Sequence, residues 1–133
     1  MIYFWATLLH FVGDYLIQSH WMATEKVKRW TPALAHGFTY TLPFLLLTRN
    51  VWALLIIGGT HAILDRYRLA KHVIWAKNFL APRSFAQPSW SEAKENAGFS
   101  KETPVWMSTW LMIITDNVMH ILINLSAIAI FVR

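Results

Sequence analysis

An all-α fold, a polytopic membrane protein with four transmembrane helices, is predicted by three observations. Hydrophobic residues make up 56% of the 133 residues and charged residues only 14%, with a mean hydropathy of +0.36. A soluble domain of this size carries about 25% charged residues, so the balance favours lipid as solvent. Apolar residues gather into four stretches, roughly 2–19, 31–48, 51–64 and 105–131. Finally, every aspartate stands four residues from a histidine inside one of those stretches: His10/Asp14, His61/Asp65 and Asp116/His120. The glutamates Glu25, Glu92, Glu95 and Glu102 all fall in polar segments instead.

The first helix is expected over about 2–19. It lacks a basic flank and runs through His10 and Asp14, so it is expected to be retained and not cleaved as a signal peptide. Thr31-Pro32 signals the start of the second, 31–48, as an N-cap followed by proline at the first helical position, and Pro43 should kink it. The third begins at Val51. A span needs about 20 residues, and nothing in Arg66-Tyr67-Arg68-Leu69-Ala70 stops it, so it is extended to 51–70. Gly58-Gly59 would let it approach a neighbour closely. Thr103-Pro104 repeats the start signal for the fourth helix, 105–131. A single domain over 1–133 is expected.

Between the third and fourth helices lies a polar connection, about 71–104. Residues 66–80 read as a basic amphipathic extension of helix three, with Leu69, Val73 and Ala76 on one stripe. Ser89-Trp90-Ser91-Glu92 fits a capping box, predicting a short surface helix that ends near Gly98. Lysine and arginine divide ten against two. Lys26, Lys28, Arg29, Arg66, Arg68, Lys71, Lys77, Arg83, Lys94 and Lys101 face Arg49 and Arg133. The positive-inside rule places both basic connections in the cytoplasm and both termini outside. The basic loops facing anionic lipid explain a pI near 9.8, and no nucleic-acid motif is present. A weak internal repeat runs HxxxD, a basic segment and a Thr-Pro helix start, twice.

On a helix, residues i and i+4 share a face, so each pair aims two ligand-type side chains in one direction. Charged groups in a spanning helix cost about 3 kcal/mol each on insertion scales and are usually functional. The topology places His10, Asp14, His36, His61, Asp65, Asp116 and His120 in one layer of the cytoplasmic half of the membrane. His10, Asp14, His36, His61, Asp65 and His120 are the candidate ligands of a divalent metal, zinc first, with manganese or iron as alternatives. No cysteine is present, which excludes thiolate ligands, disulfides and thiol catalysis. The favoured chemistry is metal-assisted hydrolysis of a lipid or membrane-associated substrate, with Asp116 taking the proton of a metal-bound water. Gln18, Lys26, Lys28, Arg66 and Arg68 are the candidate substrate-binding residues, the cations holding anionic headgroups.

Two other classes stay open on the same residues. One is an ion, proton or metal transporter or channel, which needs homo-oligomerisation around so few helices. The other is a non-catalytic interaction protein in which the pairs are interhelical hydrogen-bond staples. His20 and the tryptophans suit the headgroup region, His72 a solvated or lipid-facing position, and Asn117 and Asn124 packing.

The run His10-Phe11-Val12-Gly13-Asp14-Tyr15-Leu16-Ile17-Gln18, then Trp21-Met22-Ala23, Lys26, His36, His61/Asp65 and Asp116/His120, resembles a known family. It is similar to small bacterial and phage integral membrane proteins, the domain of unknown function 3307, whose late motif carries glutamine where Asn117 stands here. The resemblance spans nearly the whole chain. It implies a bacterial or phage origin, hence a bacterial inner membrane, and brings no established activity.

Overall fold

The computed structural model describes residues 1–82 and 84–132; Arg83 and Arg133, both counted in the charge split above, lie outside them. The described residues are helical and contain no β-strand. The helices are α1 (Ile2–Phe11), α2 (His20–Glu25), α3 (Trp30–Thr41), α4 (Val51–Tyr67), α5 (Ala70–Lys77), α6 (Trp90–Ala93) and α7 (Val105–Phe131). Among the described residues, only α7 is long and apolar enough to cross a membrane. The chain forms two compact units, Met1–Tyr67 with Met119–Arg133, and Arg68–Val118, so α7 contributes to both.

In the first unit the expected helix over 2–19 is shorter and changes pitch. After α1 the chain widens into a π-helical turn, Val12–Leu16, closed by the Ile17 amide on the Val12 carbonyl at 3.1 Å. Gly13 makes this turn fit. A Cβ there would lie 2.8 Å from Cδ2 of Tyr40 and 2.9 Å from its carbonyl oxygen. Ser19 then caps α2 by accepting from the Met22 amide, a helix absent from the sequence-based reading.

The second expected helix begins at Trp30, with Arg29 and not Thr31 in the capping position. Pro32 therefore falls within the first turn, where a missing N–H is harmless. Pro43 does not kink α3 abruptly; the chain tightens into a 3-10 segment, Leu42–Leu46, which avoids the i−4 bond proline cannot make. The Asn50 side chain accepts from the Trp52 and Ala53 amides and so starts α4, and its Nδ2 donates to the Phe131 carbonyl at 3.2 Å. α3 and α4 meet at Gly37 and Gly58: a Cβ on Gly37 would lie 2.7 Å from the Gly58 carbonyl, and one on Gly58 would strike Thr41 Oγ1. Gly59, expected to share that role, faces open space. Ala6, Tyr40, Phe44, Ile57, Ala127 and Ile128 form the apolar core.

α4 does not continue to residue 70. It stops at Tyr67, and Arg68 turns into the left-handed region at φ 49°. The basic segment is therefore a separate helix, α5, beginning the second unit. It buries Ala70 and Ile74, whereas the expected stripe residues Val73 and Ala76 are exposed. Ser89 caps α6 as predicted, accepting from the Glu92 amide, but the Glu92 carboxylate reaches forward to the Lys101 amide at 2.9 Å instead of closing the box. Gly98 has φ +95°, and a Cβ on it would strike the Lys71 carbonyl and lie 2.9 Å from Ile74 Cβ. Asn96 donates to the Ser100 and Thr103 carbonyls and accepts from the Ser108 hydroxyl, tying this loop to the start of α7.

Candidate metal centre

In the first unit a set of polar side chains is buried beside the apolar core, and many large apolar side chains are exposed. His10, Asp14, His36, His61, Asp65, His120 and Asn124 are buried, while Phe4, Phe38, Leu46, Trp52 and Leu122 are exposed. Each buried polar group arrives by a local rule. The π turn brings Asp14 inward below His10. His36 lies one residue before Gly37, on the buried side of the α3–α4 contact, and the period of α4 places His61 above Asp65.

The ligand atoms of Asp14, His36, His61 and Asp65 all lie within 4.8 Å of one another. His36 Nε2 is 2.9 Å from His61 Nε2, 3.2 Å from Asp14 Oδ1 and 3.4 Å from Asp65 Oδ2. His61 Nε2 is 3.1 Å from Asp65 Oδ2 and 3.7 Å from Asp14 Oδ1. The Gln18 amide nitrogen also stands 2.8 Å from His36 Nε2. An imidazole nitrogen carries one N–H or one lone pair, never more. No placement of a single proton satisfies four neighbours, and two imidazole lone pairs facing each other repel. Four ligands at 2.0–2.2 Å around a tetrahedral ion would stand about 3.3–3.6 Å apart, close to the spacing seen here. Two imidazoles and two carboxylates also match a divalent ion in charge and donor type. The cluster can hold a metal ion.

The other expected ligands have different positions. His10 directs Nδ1 to the Tyr40 hydroxyl at 2.8 Å and is outside the four-donor group. His120 Nε2 lies 3.6 Å from Asp65 Oδ1, on the far oxygen of that carboxylate. Asp116 stands one turn before His120 along α7 and belongs to the second unit.

The expected headgroup-binding cations are largely engaged elsewhere. Lys26 Nζ contacts Asp65 Oδ2 at 2.7 Å, mostly shielded from solvent. Arg66 donates to the carbonyls of Val27 and Lys28 at 2.7 and 3.2 Å, which holds the backbone that delivers Lys26. Its guanidinium lies 5.8 Å from the Trp30 ring and 5.7 Å from the Tyr67 ring. Lys28 pairs with Glu25 at 2.9 Å, and this hydrogen bond, helped by Arg29, holds the Glu25 carboxyl below its ordinary range. Gln18 touches a candidate ligand, His36, directly.

Sequence reasoning missed Tyr40 and Asn124. The Tyr40 ring stacks on His61 with centroids 3.6 Å apart and planes 15° from parallel. Its hydroxyl accepts from Asn124 Nδ2 at 2.5 Å. Fully buried aromatic and amide side chains in apolar helices read as packing from sequence; the available signal was Tyr40 at one turn beyond His36.

No curated protein and no solved structure matches this chain. A family match covers residues 2–132, and with it the whole of the four-donor cluster: the chain belongs to the DUF3307 family, proteins of unknown function.

Proposed function

We propose that this protein is a membrane-embedded metal-binding protein, and that its metal centre serves hydrolysis of a lipid or membrane-associated substrate from the cytoplasmic side. The observation that carries the reading is His36 Nε2, a single nitrogen with four polar neighbours within 3.4 Å. A cation shared by Asp14, His36, His61 and Asp65 would relieve that crowding. Zinc, manganese or iron fits the donors. Such an ion lowers the pKa of a bound water toward about 7 and polarises an ester or phosphoester oxygen.

The membrane part rests on α7, whose 27 residues extend about 40 Å against a hydrocarbon core of about 30 Å. It also rests on the polar interior and apolar exterior of the first unit. α4, at 17 residues and about 26 Å, and the continuous α3–3-10 rod, at 17 residues and about 28 Å, would need local thinning of the bilayer to span it. With the basic residues on the cytoplasmic side, the arrangement suits the inner membrane of a bacterium or of a phage's host.

Metal analysis of freshly purified protein in detergent tests the centre. About one equivalent of zinc, manganese or iron is expected, falling by at least tenfold in His36→Ala and His61→Ala variants that remain helical. Folded wild-type protein without metal, and without uptake on titration, would overturn the metal reading and leave the Lys26–Asp65 pair as a structural staple. Chelator-sensitive phospholipid or ester hydrolysis, restored by zinc, is expected of the loaded protein.

A further inference from the structure

We propose that the second unit carries a binding pocket for a phosphate group, built from Arg68, Lys71 and Lys94. These three line a hollow of about 170 Å³ with the Thr109 hydroxyl and one acidic residue, Glu95. None of the three cations forms an ion pair with a carboxylate among the described residues. Lys71 Nζ lies 5.8 Å from the centre of the Trp90 ring, a contact that leaves its N–H donors available. This contrasts with Lys26, Lys28 and Arg66, whose charges are answered inside the first unit.

The backbone supports the same assignment. Arg68 and Ala97 are the two non-glycine residues with positive φ among the described residues, at 49° and 54°, and both line this hollow. Left-handed non-glycine residues cost about 1–3 kcal/mol and concentrate at ligand clamps. The turn at Arg68 ends α4, and Arg68 lines the hollow together with Lys71, three residues on. Three cations outnumber the single carboxylate, Glu95, around this hollow, and a phosphate offers its acceptor oxygens to the arginine fork and the two lysine ammonium groups.

Phosphate could come from an anionic phospholipid headgroup or from solution. Exposed Trp106, Trp110, Phe79 and Phe85 in the same unit suit the headgroup region, so the headgroup is the source assigned here, resting on the membrane reading above. The test uses the full chain in detergent micelles, titrated with short-chain phosphatidylglycerol, short-chain phosphatidylcholine and inorganic phosphate, followed by native mass spectrometry. Phosphatidylglycerol is expected to bind and phosphatidylcholine to bind at least tenfold more weakly. An Arg68→Asn, Lys71→Gln, Lys94→Gln variant should lose at least tenfold in affinity; asparagine tolerates the left-handed backbone. Lys77→Gln with Arg83→Gln and Lys101→Gln, removing the same number of charges at other positions in the chain, should not. Equal losses in both variants, or none in the first, overturn the pocket. Inorganic phosphate binding through the same three residues without lipid binding keeps the pocket and overturns the headgroup source. Extraction of the protein from membranes by alkaline carbonate would separately overturn the membrane reading, and His61→Ala, expected to bind lipid normally, separates this pocket from the metal centre.

Discussion

The Tyr40 ring lies flat on His61 while its hydroxyl is held between His10 and Asn124. That arrangement fixes the plane of the His61 imidazole, and hence the direction of Nε2 toward Asp14, His36 and Asp65. Partners of this kind are worth about 10–100-fold in metal affinity. Tyr40→Leu should therefore weaken zinc binding by about tenfold or more and broaden the visible spectrum of a cobalt-substituted centre. Tyr40→Phe keeps the stack and should keep the spectrum, but it removes the hydroxyl bonded to His10 and Asn124 and should lower stability by about 1–3 kcal/mol. His10 was expected as a ligand because its spacing from Asp14 matches that of His61 from Asp65. Its Nδ1 lies on the Tyr40 hydroxyl and the π turn follows it, and neither feature has a sequence signature as plain as an i,i+4 pair.

At the level of elements, close approach decides which glycines matter. Gly58→Ala places a methyl against Thr41 across the α3–α4 contact and should lower stability by about 1–3 kcal/mol, together with metal affinity, since His36 and His61 sit on those two helices. Gly59→Ala meets nothing and, in a helix interior, should hold or raise the melting temperature, alanine being favoured there by about 1 kcal/mol. From sequence the two glycines were indistinguishable, because only the crossing point of the helices separates them. The end of α4 was hidden for a related reason: Tyr67-Arg68-Leu69 contains no helix breaker, and the left-handed turn at Arg68 is a property of the packed structure. By contrast the α6 cap and the long α7 were legible, the first from Ser89 and the second from a 27-residue stretch that is mostly apolar and holds no proline or glycine.

For the whole molecule, the proposed sidedness is accessible to a direct measurement. With no native cysteine, a single introduced thiol reports its own position without background. Ser91→Cys should react only with reagents admitted to the cytoplasm, and Arg49→Cys with impermeant reagents added to intact spheroplasts. The reverse pattern would invert the topology, and equal reactivity of both would deny that the chain crosses a bilayer between them.

Lys26 would give the proposed metal centre a further property, one of rate. Its ammonium already sits 2.7 Å from a ligand oxygen of Asp65, held there by the grip of Arg66 on the Val27 and Lys28 carbonyls. Loading a divalent ion would then be an exchange of cations, the lysine withdrawing as the metal arrives and its return assisting departure. Capture and release should both be gated by that swing. Lys26→Met, which retains the length of the side chain without its charge, should accelerate zinc uptake in stopped-flow measurements and slow chelator-driven loss. Unchanged rates in both directions would show that the ion reaches its ligands without passing the lysine.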